Sequence, residues 1–322
     1  MDSFLPERGT ALAEEIMAFY PTATREQIES WSETCGYSTI GTFKDAVYRH
    51  FKLRRVATYP IPSSTGVKSN VPLNLHLNGE LKTVAIIGDT HNPYQDNKVL
   101  QLVEDLLVEV QPDYLIYGGD MCDFYQISKF DKDPKRVVDL QSDVNNTKAM
   151  FERHKKILPN TKKKLIAGNH EERWQKFLWT KAPELSSLTC LSITELFDLD
   201  AYEIDYIPYE CGLMINDIFL VLHGDIASIH SGYTAKRMYE KHGGCGVCGH
   251  CHRGGSFYKR DRFGVWGWWE NFCLCSLYPD WIQNPNWVHG FSLVHFLGKK
   301  RFLTEQIPIL GHALMYGGKL YE

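Results

Sequence analysis

The sequence predicts an α/β fold: a two-layer β-sandwich with helices outside it, four layers deep, preceded by a small helical N-terminal segment. Three observations carry this expectation. Apolar runs of strand length alternate with helical patterns from Thr83 onward. The first three of those runs, TVAIIG, YLIYGG and KLIAG, hand over directly to polar residues at Asp89, Asp120 and Asn169. Beyond residue 212 further runs alternate like the strands of a second sheet.

The chain has 322 residues, 43% of them hydrophobic, enough for a substantial core in one large domain or two. Its formal charge of -4 gives no whole-protein attraction to nucleic acid or to an anionic membrane, so any such contact has to come from a local patch. The opening MDSFLPERGTALAEE lacks the basic start and apolar core of a secretion signal, and no apolar run approaches about 18 residues. A cytoplasmic protein with no membrane partner is expected. The nine cysteines then read as reduced thiols rather than as a disulfide framework.

Residues 1–55 read as helical. Leu12, Ile16 and Phe19 keep helical spacing up to Pro21, and Thr24 with Gln27 is spaced like a capping box for a second helix that ends at Gly36. Ser38 is placed to cap a third helix. Phe43, Val47 and Phe51 line one face of it, and Arg49, Lys52, Arg54 and Arg55 crowd its end. The pattern resembles a helix-turn-helix, which implies DNA contact, while a plain three-helix packet with basic residues favoured by the helix dipole is the competing account. Residues 56–80, rich in proline, serine and glycine, read as a linker or an extended arm lying on the next domain.

The main domain is expected over residues 81–322. After the strand TVAIIG, a helix is marked by Val99, Leu102, Val103, Leu106, Leu107 and Val110; the strand YLIYGG follows, then a helix over roughly 138–158 and the strand KLIAG. The helical EERWQKFLWT and a mixed stretch after it make residues 174–212 a cap or insert. LMINDIFLVLHG reads as a hairpin turning at Asn216 and Asp217, and VWGWWENFCLCS, FSLVHFLG and KRFLTEQI as strands of the second sheet.

Five short blocks hold the chemistry: GDTH (Asp89, His91), GGDMCD (Asp120, Asp123), GNHE (Asn169, His170), HGD (His223) and GHCH (His250, His252). Each sets hard or borderline metal ligands beside glycine, which lets the backbone turn tightly around an ion. Open α/β sheets gather such strand ends in one crevice, so the blocks read as one divided metal site. Two divalent ions about 3.5–4 Å apart repel each other and need a bridging carboxylate, for which Asp120 is the natural choice; solvent between them is acidified into a hydroxide able to attack phosphorus in line.

In order and type the five blocks resemble those of the calcineurin-like metallophosphoesterases. The resemblance runs from about Thr83 to the C-terminus. It implies that Asp89, His91, Asp120 and His252 hold one metal and that Asp120, Asn169, His223 and His250 hold the other. Mixed nitrogen and oxygen ligation suits Mn²⁺, Fe or Zn better than Mg²⁺, with Mn²⁺ placed first. It further implies that His170 is no ligand but protonates or stabilises the leaving oxygen, with Asp123 orienting its ring. The protein serine/threonine phosphatases of the superfamily place arginine where this chain has Phe124, which argues against that branch. Arg173 and Arg253 are near enough in sequence to offer a fork to phosphate oxygens.

Other features weigh less. Asp225 suits a turn. Cys245, Cys248 and Cys251, with Cys273 and Cys275 downstream, have zinc-ribbon-like spacing, but Cys248 and Cys251 fall among residues already assigned, so buried thiols are the simpler account. Five tryptophans between Trp266 and Trp287 suit sheet packing or a base-stacking platform.

The leading expectation is a dinuclear metal-dependent phosphodiesterase acting on nucleic acid or nucleotides, with the N-terminal helices bringing DNA or RNA. A phosphomonoesterase for a small metabolite or phosphoprotein, and a non-catalytic DNA-binding or scaffold protein, are the alternatives.

Overall fold

A computed structural model describes residues 5–7, 9–20, 23, 25–51, 71–129, 131–132, 139–279 and 282–322 of the chain, which falls into two compact units, 1–68 and 69–322. The first unit holds α1 (Ala11–Phe19), α2 (Arg25–Thr34) and α3 (Ile40–Phe51). Its own small core includes Ile16, Tyr20, Ile28, Trp31, Phe43 and Val47. Phe19 points outward, 57% exposed, and Ala13 and Tyr20 complete the buried face of α1 in its place. α3 is capped by Thr39 rather than Ser38: the Thr39 hydroxyl accepts from the Thr42 N–H at 3.2 Å. Thr24, the basic residues Lys52, Arg54 and Arg55, most of the expected linker and Trp281 lie outside the described residues.

The second unit opens with β1 (Leu73–Leu75), β2 (Leu81–Ile87), α4 (Asn97–Val110), β3 (Tyr114–Tyr117), α5 (Leu140–Ile157) and β4 (Lys162–Ile166). Next come α6 (Asn169–Lys181), α7 (Ile193–Leu196), β5 (Ile204–Ile207), β6 (Leu213–Ile215), β7 (Phe219–Leu222), α8 (Tyr233–His242) and β8 (Cys245–Cys248). β9 (Gly254–Asp261), β10 (Gly264–Asn271), β11 (His289–Leu297), β12 (Arg301–Ile309), β13 (Leu314–Tyr316) and β14 (Lys319–Tyr321) complete it. Two six-stranded sheets form, ordered β12-β11-β2-β3-β4-β5 and β1-β6-β7-β8-β10-β9.

Strand parity makes the layers. Val84 and Ile86 of β2 meet Phe219 and Val221 of β7 and Val247 of β8 in the core between the sheets. Ala85 and Ile87 face the other way, onto α4 and α5, while Leu220, Cys248 and Trp268 pack against Ala235 and Met238 of α8. Both faces of the central strands are covered, which is why they read as unbroken apolar runs rather than as alternation. The four-layer expectation holds.

Three placements differ from the sequence reading. β11 and β12 belong to the first sheet, β11 pairing antiparallel with β2 in register Val294↔Val84, rather than to the second. β11 is buried along most of its length and fits either sheet by pattern, so only long-range pairing decides, and β12 follows it as its antiparallel partner. Residues 174–212, expected as a cap, include β5, which extends the first sheet parallel to β4, and side chains such as Trp174, Leu178 and Phe197 that enter its outer core. The end of the expected arm, β1, is a strand pairing parallel with β6. The turn at Asn216 and Asp217 forms as expected, both residues with positive φ (51° and 60°), as a type I′ turn requires. Among the described residues no helix is long and apolar enough to cross a membrane.

Candidate metal centre

β2, β3 and β4 run parallel and side by side, so Asp89, Asp120 and Asn169 leave the sheet at the same end. β7 and β8 are likewise parallel neighbours in the second sheet and deliver His223 and His250. The loops then interlock. Asp89 N–H donates to the Gly119 carbonyl at 2.9 Å, and His91 N–H to the Asp120 carbonyl at 2.9 Å. Asp89, His91, Asp120, His250 and His252 all have positive φ, between 47° and 66°. That left-handed conformation is costly for a residue with a Cβ, and it persists where the surrounding structure over-determines the chain.

Two glycines make the crowding possible. A Cβ at Gly168 would lie 2.1 Å from the Asp120 Oδ1, and one at Gly249 would lie 2.6 Å from the Asp89 Oδ2.

The side chains converge on two neighbouring positions. On one side His91 Nε2 lies 3.1 Å from His252 Nε2, which is 3.2 Å from Asp89 Oδ1. On the other, His223 Nε2 lies 3.1 Å from Asn169 Oδ1. Asp120 Oδ2 sits between, 3.3 Å from His223 Nε2 and 3.7 Å from His91 Nε2. Asp120, His223 and His250 have ligand atoms all within 4.8 Å of one another. Buried imidazole nitrogens aimed at one another and at carboxylates form a donor set that fits divalent cations of the nitrogen- and oxygen-binding type.

Electrostatics agree with that fit. Burial opposes ionisation of Asp120, yet the charges of His170 and His223 and the His223 hydrogen bond hold its carboxyl well below the usual range. Burial likewise opposes, and the His252 hydrogen bond outweighs, so that Asp89 is also lowered. Burial pulls the His223 imidazolium down, but the Asp120 carboxylate raises its pKa to about 9. Burial and the neighbouring His223 push His250 down to about 4. A metal takes only the neutral imidazole, so an ion held by His223 would have to displace its proton. Divalent-metal affinity is therefore expected to rise with pH through the neutral range, by about tenfold per unit for each displaced proton, since His91 and His252 are raised as well as His223. Titrations at several pH values check this; a flat profile below pH 8 contradicts it.

Beside the cluster, His170 Nδ1 donates to the Asp123 main-chain carbonyl at 2.7 Å and lies 3.2 Å from the Asp123 Oδ1. Asp123 Oδ1 also accepts from His91 Nδ1 at 3.0 Å. Arg173 donates through Nη1 to the Asp123 carbonyl at 2.8 Å and through Nη2 to His170 Nε2 at 2.9 Å. A cavity of about 780 Å³ opens here, lined by Arg173 but not by Arg253. Arg253 instead donates to the Cys251 carbonyl at 2.8 Å. Asp225 pairs with Lys241 at 2.6 Å, which accounts for it as a surface ion pair.

Two neighbours of the site escaped the sequence reading. Glu171, fully buried, accepts from the N–H groups of Gly168 (2.7 Å), Asp120 (2.9 Å), Met121 (2.8 Å) and Cys122 (3.2 Å). The E of GNHE was the available signal. Glu171→Ala would strand four buried donors and is expected to cost about 3 kcal/mol or more in urea unfolding; a loss under about 1 kcal/mol contradicts this role. Cys275 Sγ lies 3.7 Å from His252 Nδ1, and its ligand atom groups with those of His91 and His252. The sequence offered Cys275 only as a distant member of the ribbon-like spacing, whereas the loop after β10 brings it beside His252 instead. Cys245 and Cys248 face opposite sides of their sheet, so the ribbon-like spacing gathers no site there.

A family model described as calcineurin-like phosphoesterase matches residues 82–274. The Gene 54 protein of Mycobacterium phage L5 is 24% identical over 257 residues, covering 75% of this chain and 99% of its own length. Its counterpart in Mycobacterium phage D29 is 24% identical over 261 residues, with coverage of 75% and 99%. Among solved structures, Vps29 of Entamoeba histolytica aligns at a TM-score of 0.39 and 13% identity, covering 74% of this chain and 97% of that one. Vps29 of Cryptosporidium parvum aligns at 0.39 and 13%, covering 76% and 96%.

Proposed function

Because the chain belongs to the calcineurin-like phosphoesterases, and is thus a metal-dependent phosphoesterase, we propose that it is a phosphodiesterase acting on nucleic acid or nucleotides. In this reading Asp89, His91, Asp120 and His252 hold one divalent ion, and Asp120, Asn169, His223 and His250 the other. When bound, such a pair supplies an acidified water and neutralises phosphoryl charge. Mn²⁺ is the first candidate for both positions, with Fe and Zn the others that suit the donors.

The protein's own residues do the rest. Asp120 is the carboxylate shared between the two positions. Asp123 fixes the His170 ring through Nδ1, and Nε2, which accepts from Arg173 in the free protein, can carry the proton for the leaving oxygen once Arg173 has turned away from it. Arg173, already hydrogen-bonded to His170 Nε2, is placed to exchange that imidazole for a phosphate oxygen. Arg253, directed to its own loop, is a weaker candidate for phosphate.

One observation supports the choice of substrate: the wall of the cavity beside the metal cluster is aromatic. Tyr94, Tyr125, Tyr278 and Trp287 line it, and the Trp287 ring lies 4.3 Å from that of His252. Bases stack on such surfaces whatever their sequence. The N-terminal three-helix unit, helix-turn-helix-like in its α2–turn–α3 spacing, serves in this reading to bring nucleic acid. Deleting residues 1–55 would then weaken DNA binding and spare turnover of a small diester.

The direct test compares hydrolysis of bis-p-nitrophenyl phosphate with that of p-nitrophenyl phosphate, with Mn²⁺ and with EDTA. Diester cleavage abolished by EDTA, extending to nucleotide diesters, is the expected result. Turnover of the monoester alone overturns the diester reading in favour of small phosphomonoesters.

A further inference from the structure

We propose that the β9–β10 hairpin, together with the adjoining face of α8, is a docking surface for single-stranded nucleic acid. The proposal deepens the nucleic-acid reading above and rests on it. In a chain of net charge -4, residues 233–266 hold seven Lys and Arg against two acidic residues. A patch that departs this far from the whole-chain balance is the local attraction that the total charge does not provide.

The patch is exposed along an edge strand, with Lys259 over the Tyr239 ring on the α8 side and Arg260 on the side of Tyr258, which packs against Trp269. β9 is the edge strand of its sheet, paired on one side only, with β10. Arg237, Lys259, Arg260 and Arg262 are all exposed. Among the described residues none of these four closes an ion pair with a carboxylate, whereas Lys236 and Lys241 are paired with Glu240 and Asp225. Asp261, the acidic residue at the tip, is spent on the turn: it accepts from Phe263 N–H at 2.8 Å, Gly264 N–H at 3.2 Å and Trp266 Nε1 at 2.8 Å.

Aromatic groups sit among these charges. Tyr258 is 60% and Phe263 74% exposed, and the Arg262 guanidinium lies over the Phe263 ring, 4.5 Å from its centroid. Cations that track phosphates, interleaved with exposed rings on which bases stack, are the elements of a single-strand surface. Charges on an edge strand also block edge-to-edge pairing. That purpose does not call for a solvent-facing phenylalanine beside them.

Position supplies the link to the chemistry. β9 begins two residues after His252, so its eight residues run roughly 25 Å from the metal cluster to the hairpin tip. A strand of nucleic acid held on the hairpin is thereby led toward the cavity.

The test is stopped-flow anisotropy of a fluorescein-labelled oligothymidylate of about twenty nucleotides with the Mn²⁺-loaded full chain, read before cleavage at several salt concentrations. Each phosphate neutralised contributes about -0.7 to the slope of log affinity against log salt. R260A/R262A is expected to flatten that slope by about 1.4, R260K/R262K to restore it, and Phe263→Ala to weaken binding roughly tenfold. All should turn over bis-p-nitrophenyl phosphate like the parent chain. Unchanged affinity and slope in R260A/R262A overturn the proposal. So does tighter binding to a duplex of equal length, or binding to phosphatidylserine vesicles in place of the oligonucleotide. A parent chain that binds the oligonucleotide through the hairpin yet cleaves no diester would sink the functional reading and leave this surface standing.

Discussion

Asp120→Asn is expected to lower turnover by about a thousandfold or more, since charge stabilisation by bound metals is worth several kcal/mol. Asp120 is 2% exposed and its Oδ2 stands between His223 and His91, at 3.3 and 3.7 Å. An amide keeps the shape and one acceptor but removes the charge shared by both halves of the site. The buried imidazoles then face one another with less negative charge among them, so metal content should fall together with rate. Metal analysis beside steady-state kinetics checks this. Full metal retention with near-normal turnover would show that Asp120 is not the shared carboxylate.

His170→Ala should behave in the opposite way: metal content intact, turnover reduced by about 10²–10⁴-fold, the usual worth of a positioned general acid. His170 Nε2 lies 3.8 Å from Asp120 Oδ2 and groups with Asp120 and His91, so its hydrogen bonds rather than its distance set its role apart. Its Nδ1 is engaged by Asp123 and its Nε2 by Arg173, and both contacts hold the ring at the cavity wall. The deficit should shrink for a substrate whose leaving group needs no proton, such as p-nitrophenolate, and stay large for an alkoxide. If His170→Ala empties the metal site instead, the ring is a ligand and the role given to it is wrong.

These two variants also mark what was legible in the primary sequence. Asp89, Asp120 and Asn169 follow three buried strands, and parallel neighbours in a sheet end together, so their convergence could be read from pattern alone. His223 and His250 came by the same logic from the second sheet. Glu171 and Cys275 did not. Glu171 acts on backbone N–H groups, so the E of GNHE could not name its partners, and Cys275 reaches His252 on a loop held across the site by several bonds, among them Leu274 N–H to the Asp89 carbonyl at 3.1 Å. β11 was misplaced for a related reason. A nine-residue strand covered on both faces carries no period that says which sheet it joins. Local chemistry could be read from the sequence, whereas long-range pairing could not. The basic hairpin lies between these cases, since the charges are plain in the sequence but their shared exposure on an edge strand is not.

The central claim is that five blocks scattered over 164 positions, from Asp89 to His252, form one two-metal centre. Calorimetric titration of the EDTA-stripped full chain with Mn²⁺ tests it most directly. Two equivalents bound per chain in the parent, with both affinities reduced in Asp120→Asn, is the predicted result. A single equivalent, or two whose affinities are indifferent to Asp120, would contradict it.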